Sequence, residues 1–288
     1  MPEMLNLKKV FGQNFIQSSE VINDIIGTLG ADENTFVIEI GPGAGALTIP
    51  LADQVGHLAA IEIDRRLVKL LRDTFKDNPK VRIVFDDVLQ VDFKEILEHE
   101  HAEDFPKLKI VGNIPYNITS PIITEVLESG IPFENFTLMI QKEVAERICA
   151  APGSRKYGYM SVFVQYYTET EYIRTVGREL FLPTPNVDSA VVNLTFRKEP
   201  PVDCDKEKFF NVVKQSFAHK RKTLANNLIG MAGSDKQSVS AFLTGLGIEP
   251  KRRAETLSLE EFAKIANALG GEIKKAETTN DSSEISKW

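Results

Sequence analysis

The feature that most limits what this chain can fold into is a regular alternation. Short, nearly unbroken apolar runs, TFVIEIG (35–41), HLAAIEID (57–64), VRIVFDD (81–87), LKIVGN (108–113) and FTLMIQ (136–141), are separated by stretches of helical periodicity. One such stretch is RRLVKLLRDTF, where Leu67, Leu70, Leu71 and Phe75 fall on one face. Val- and Ile-rich runs without polar alternation read as strands buried on both sides, and strands joined through helices pair in parallel. The pattern predicts an α/β domain with a mostly parallel sheet between two helical layers. YMSVFVQYYTETEYI (159–173) and SAVVNLTFR (189–197) read as later strands that close the sheet antiparallel. Beyond Pro200-Pro201 only helical patterns remain: KEKFFNVVKQSFAHKRKTLANNL, DKQSVSAFLTGLG, and SLEEFAKIANALG with Ser258 and Glu261 in capping-box spacing. The expected division is a catalytic domain over 1–200, a helical domain over 201–272, and a polar, aperiodic, disordered tail over 273–288.

Composition narrows the function classes. The two cysteines, Cys149 and Cys204, have no ligand-spaced neighbours, so neither a disulfide framework nor a metal site is expected. His57, His99, His101 and His219 form no triad or ligand set and read as surface or packing residues. No apolar leader or membrane-length run is present, which predicts a cytoplasmic protein with no membrane role. A net charge of -7 argues against a surface coated in nucleic acid, so any such contact must be local.

Chemistry first shows in EIGPGAGALT (39–48), directly after the first of these strands. Gly41, Gly43 and Gly45 let the backbone turn tightly against a ligand, ahead of a helix expected to start near Ala46. Glu62, at the end of the next strand, lies close to the roughly twenty-residue spacing at which an acid accepts ribose hydroxyls. Loop and acid leave NAD and S-adenosylmethionine both open. Asp86 or Asp87, ending the following strand on the same crevice edge, suits the amino group of an adenine.

Asn113-Ile114-Pro115-Tyr116 ends the fourth strand on that edge. An adenine amine is a poor nucleophile because its lone pair is delocalised into the ring. An Asn oxygen and a main-chain carbonyl fixed by the following proline can each accept one N–H, freeing the lone pair for an electrophile. Tyr116 can stack on the base. The reading is amine methylation by orientation, with no strong general base.

With those motifs in place, the sequence resembles the ribosomal RNA adenine N6-dimethyltransferases, and among them the kasugamycin-sensitivity type acting on small-subunit RNA. The similarity runs from about Phe11 to Ala268. It implies a Rossmann-like class I S-adenosylmethionine-dependent methyltransferase fold with a small all-α C-terminal domain. FGQNF resembles the family's N-terminal cofactor motif, implying that Asn14 and the Ile16 backbone hold the methionine end of the cofactor. EIGPGAGALT matches the glycine loop with Gly41 and Gly43, Glu62 the ribose acid, Asp87 the adenine contact, and NIPY the catalytic motif, whose Asn113 also borders the cofactor. FLPTPNVDSAVV resembles the segment whose Phe181 would stack on the target base opposite Tyr116. The implied product is N6,N6-dimethyladenosine at two adjacent adenosines in a loop near the 3′ end of 16S rRNA, with S-adenosylhomocysteine released at each transfer and no metal. The implied protein is a monomer whose partner is the small ribosomal subunit or its precursor.

The RNA surface is then expected at Lys220, Arg221 and Lys222, with Lys214 upstream on one helix, at Lys251, Arg252 and Arg253, and at Arg155 and Lys156 in a loop of the catalytic domain. Competing readings are a nicotinamide dehydrogenase, a non-catalytic RNA-binding assembly factor, and, within the family, a macrolide-resistance enzyme acting on 23S rRNA.

Overall fold

The computed structural model describes residues 14–269, so the tail expected over 273–288 lies outside the described residues. Two compact units divide the chain: one holds residues 14–145 and 169–196, the other 146–168 and 197–269.

The first unit is built on a seven-stranded sheet. Its strands are β2 (Thr35–Ile40), β3 (His57–Glu62), β4 (Val81–Phe85), β5 (Lys107–Asn113), β6 (Asn135–Gln141), β7 (Thr168–Val176) and β9 (Ser189–Phe196). A separate two-residue pairing joins β1 (Phe15–Ile16) to β8 (Phe181–Leu182). The sheet order is β4-β3-β2-β5-β6-β9-β7. The first five of these run parallel, in registers such as Ile38 opposite Ala59 and Ile110, while β9 returns antiparallel to β6. Every residue of β2 is buried, as a central strand covered on both faces requires. Truncating a side chain such as Ile110, fully buried, costs about 2–5 kcal/mol.

The helices of this unit are α1 (Ser19–Leu29), α2 (Thr48–Ala52), α3 (Arg65–Phe75), α4 (Phe93–His99) and α5 (Thr119–Glu128), and α6 (Lys142–Ile148) leads from it into the second. Asp64 caps α3 by accepting from the Arg66 amide, and its carboxylate is gripped by the Arg66 guanidinium at 2.6 Å. The buried face of α3 is Leu67, Val68 and Leu71, whereas Leu70, expected on that face, is 39% exposed. The β2 and β5 strands approach so closely at Gly112 that a Cβ there would meet the Ile40 carbonyl at 2.8 Å. Strand order reverses between these two strands, the position where open α/β sheets bind ligands.

The second unit is helical: α7 (Tyr159–Tyr167), α8 (Lys206–Phe217), α9 (Leu224–Asn227), α10 (Lys236–Gly245) and α11 (Leu259–Ala268). Two expectations are corrected here. The single cut near residue 200 misses that 146–168 belongs with the later chain. The cause is that YMSVFVQYY is a helix, not a strand. Val162 and Tyr166, one helical turn apart, are buried with Phe209, Val213 and Phe262, and the Tyr166 and Phe209 rings lie 5.0 Å apart. An aromatic, β-branched tract with no polar alternation suits a buried strand or a buried helix, and packing decides between them. The Ser161 hydroxyl fixes the start, accepting from the Gly158 amide at 3.0 Å and donating to the Arg147 carbonyl at 2.6 Å.

The helix expected to run on through KRK also stops early. α8 ends at Phe217, and Lys220, Arg221 and Lys222 are exposed on the turn before α9. Buried Asn227 braces that turn, donating to the Ser216 carbonyl at 2.6 Å and the His219 carbonyl at 3.3 Å.

Candidate active site

A cavity of about 860 Å³ opens in the first unit at the C-terminal ends of the parallel strands. Its walls include Asn14, Ile16, Gly41, Gly43, Glu62, Asp87, Asn113 and Tyr116, which the sequence reading had marked from five separate segments. These residues meet because each parallel strand delivers its last side chains to one edge of the sheet.

The floor is the glycine loop. Gly43 has φ +60, and a Cβ on it would touch the Phe15 ring at 3.0 Å, so β1 lies directly on the loop. α2 begins at Thr48, later than expected, and is only five residues long, so the loop backbone rather than a helix end lines the cavity. Glu62 is buried at the end of β3 and holds the loop in place. One carboxylate oxygen accepts from the Gly43 amide at 3.1 Å and the other from the Asp64 amide at 2.9 Å. Burial raises its pKa, against the pull of those N–H groups. Asp87 caps the turn after β4 by accepting from the Leu89 amide at 3.0 Å while also lining the cavity.

Sequence reading missed Glu39, an acid inside the apolar run VIEI whose position was itself the available signal. It is 1% exposed at the cavity base, and its Oε2 lacks a well-directed hydrogen bond among the described residues. Burial pushes its pKa up to about 8, the nearby Thr48 hydroxyl opposes this, and the Glu62 charge adds to it.

At the other end, the Asn113 amide nitrogen donates to the Asn14 carbonyl at 2.9 Å, which turns Oδ1 into the acceptor available to a ligand. The turn after it is pinned by Ile114 N–H to the Met139 carbonyl at 3.0 Å and by the Thr119 hydroxyl to the Pro115 carbonyl at 3.2 Å. The Tyr116 hydroxyl meets the Ser189 hydroxyl at 2.6 Å. Burial and the Asp188 charge raise the phenol pKa, which the Ser189 bond opposes.

Phe181 does not join this group. It is 3% exposed, packs in the core with Ile16, Val176 and Val191, and does not line the cavity. Its backbone pairs with Ile16, so it holds β1 over the glycine loop instead of facing a base. The expected stacking role is corrected accordingly.

The basic residues expected to contact RNA all fall in the second unit, Arg155 and Lys156 included, although these two were expected in the catalytic domain. Arg155, Lys220, Arg221, Lys222, Lys251 and Arg253 are exposed, and Lys156 is paired with Glu146. Arg252 is engaged internally: its guanidinium grips Glu261 at 2.5 and 2.8 Å and donates to the Thr256 carbonyl at 2.6 Å and hydroxyl at 3.0 Å. A guanidinium held this way braces the fold and cannot offer a phosphate a two-pronged grip without giving up these bonds. Among the described residues, no cluster of His, Cys, Asp or Glu could hold a metal ion, and no helix is long and apolar enough to cross a membrane.

Residues 4–270 match the family model described as ribosomal RNA adenine dimethylase. The chain is 44% identical over 274 residues to the ribosomal RNA small subunit methyltransferase A of Shouchella clausii, covering 94% of this chain and 92% of that protein. It is 45% identical over 269 residues to the protein of the same name from Streptococcus pneumoniae (strain P1031), covering 92% of each. Among solved structures, the 23S rRNA methyltransferase ErmE superposes with a TM-score of 0.71 at 28% identity, covering 89% of this chain and 99% of that one. A dimethyladenosine transferase from Plasmodium falciparum shares the fold, with a TM-score of 0.73 at 24% identity over 87% of this chain and 95% of that one. A cavity assembled from these motifs and a match spanning nearly the whole sequence lead to one conclusion: the chain belongs to the ribosomal RNA adenine dimethylase family.

Proposed function

We propose that this chain dimethylates the N6 amines of two adjacent adenosines in a loop near the 3′ end of 16S rRNA, in the small ribosomal subunit or its precursor. It does so as a monomer in the cytoplasm, as a step of ribosome biogenesis. The names of the relatives from Shouchella clausii and Streptococcus pneumoniae support the small-subunit assignment over the large-subunit reaction named for ErmE.

S-Adenosylmethionine is the family's methyl donor, and the cavity suits it. Its volume lies within the roughly 300–1,000 Å³ of small-molecule sites, a side chain at Gly43 would crowd the Phe15 ring, and polar groups converge where a nucleoside and an amino acid need them. Gly41 and Gly43 would border it, Glu62 would accept from its ribose hydroxyls, Asp87 would meet its adenine, and Asn14 with the Ile16 backbone would hold its methionine end. When bound, it supplies an electrophilic sulfonium methyl group.

The observation that carries the reading is the orientation of Asn113. With Nδ2 given to Asn14, Oδ1 is presented to accept one proton of the target amine. The Ile114 carbonyl, fixed by Pro115, accepts the other, and Tyr116, held by Ser189, gives the base a ring to stack on. After the first transfer the amine still has one N–H for a single acceptor and a lone pair for a second methyl, hence the dimethylated product. Bases in a loop cost least to unstack, and Lys220, Arg221, Lys222, Arg155, Lys156, Lys251 and Arg253 supply the charge to hold phosphates.

The test is nucleoside mass spectrometry of ribosomal RNA from a host strain lacking this chain, before and after its return. N6,N6-dimethyladenosine should disappear from and be restored to small-subunit RNA. Restoration of monomethyladenosine alone, or methylation of large-subunit RNA, would overturn the assignment.

A further inference from the structure

Beside the catalytic turn stands a side chain that neither the cofactor nor the fold accounts for. Strand register sets Asn113 opposite Met139, Met139 opposite Val191, and Gln141 opposite Ser189. Alternate residues of a strand share a face, and Val111, Met139 and Val191 all belong to one buried cluster. Asn113, Gln141 and Ser189 therefore project on that same face, at the strand ends where the cavity opens. Gln141 lines the cavity next to the Ser189–Tyr116 pair and one step along the sheet from Asn113.

Gln141 is half-buried, and its side-chain amide has no hydrogen-bond partner among the described residues. Its neighbours are otherwise engaged: Asn113 Nδ2 with Asn14, and the Ser189 hydroxyl with Tyr116. Only the Gln141 backbone takes part in the sheet, so the fold has no evident use for a planar amide at this position. A primary amide offers two donors and an acceptor in one plane, and Gln is among the side chains best matched to an adenine edge. In adenine the exocyclic amine is flanked by two ring acceptors, N1 and N7.

We propose that Gln141 reads the target base, its side-chain N–H donating to the ring nitrogen that flanks the amine, N1 or N7. This rests on the methylation reading given above and adds a specificity residue to it. Asn113 Oδ1 and the Ile114 carbonyl engage the amine and Tyr116 the face of the ring, which leaves the ring edge without a hydrogen bond. A third hydrogen bond, at that edge, sets the orientation of the base beneath Tyr116 and points the amine lone pair. At the N1 edge the same donor also opposes guanine and uracil, which place an N–H there.

The experiment uses small-subunit particles reconstituted with 16S rRNA carrying adenosine, 1-deazaadenosine or 7-deazaadenosine at the target positions, and single-turnover methylation by the full chain. Gln141→Met keeps side-chain length without the amide, and Gln141→Glu keeps its shape but leaves no N–H to donate. One deaza analogue should slow the wild type by about tenfold or more, the scale of one specific base contact. Both variants should be slowed on adenosine by a similar factor and slowed no further by that analogue, while unfolding at the wild-type temperature. Losses that simply multiply between variant and analogue, or variants at wild-type rate on adenosine, would overturn the role of Gln141 while leaving the methylation reading standing. If the wild type fails to methylate the adenosine particle, the methylation reading falls, and the role of Gln141 with it.

Discussion

The Asn113 side chain donates to the Asn14 main-chain carbonyl across 2.9 Å, joining the catalytic turn to the strand that lies on the glycine loop. That one bond decides which end of the amide faces a substrate. Asn113→Ala should leave S-adenosylmethionine affinity largely intact and lower turnover at least about a hundredfold, the scale of losing one preorganised polar group at a reacting centre. Asn113→Asp should be as slow, because a carboxylate cannot donate to Asn14. Calorimetry beside single-turnover assays separates binding from chemistry, and near-normal turnover in either variant would refute the role.

Tyr116→Phe removes the bond to the Ser189 hydroxyl but keeps a ring over the base. A loss of about threefold to tenfold in turnover is expected, against about a hundredfold or more for Tyr116→Ala. Equal losses in the two variants would mean that the hydroxyl, and not the ring, matters.

Glu39 should make stability fall as pH rises. Its pKa in the folded chain is about 8 against an ordinary 4.5, so between those values the folded state retains a proton that the unfolded state has released. Its contribution is fully present below pH 4.5 and lost as pH rises to about 8, at up to roughly 1.4 kcal/mol per pH unit. Urea unfolding of the wild type and Glu39→Gln at pH 5, 6.5 and 8 reads this directly. The variant should gain on the wild type at each step, and parallel curves would contradict a protonated Glu39.

Two arginine-containing clusters of the second unit should behave oppositely. Replacing Lys220, Arg221 and Lys222 by Ala should weaken RNA binding and flatten its salt dependence without touching S-adenosylmethionine affinity or stability. Arg252→Ala should leave the salt slope unchanged and cost about 1–2 kcal/mol of stability, since its guanidinium is tied to Glu261 and Thr256. Filter binding over a salt series, with thermal unfolding alongside, distinguishes them.

The parallel core was legible because its central strands are nearly unbroken apolar runs that end in turn residues, and β2 is buried along its whole length. The cavity was legible because parallel strands deliver their last residues to one edge of the sheet, although Glu62, Asp87 and Asn113 also brace the loop and turns there. What escaped has a common physical origin. Val162 and Tyr166 in YMSVFVQYY have no local preference strong enough to override packing, so their helix is decided by Phe209 and Phe262, far along the chain. Phe181 reads as a site residue from its motif, but its burial depends on a two-residue pairing with Ile16 too short to leave a periodic signal. The KRK turn follows a helical pattern that buried Asn227 interrupts, and a single asparagine does not announce which carbonyls it will meet.

Because the second unit takes its core from two separated stretches, 146–168 and 197–269, it cannot be exchanged between relatives at one splice point. A chimera joined only near residue 200 would set one parent's Val162 and Tyr166 against the other parent's Phe209 and Phe262, mismatching a core packed at close to crystal density. The two stretches must be inherited together, which ties drift in a helix lying early in the chain to drift in the last helices of the molecule.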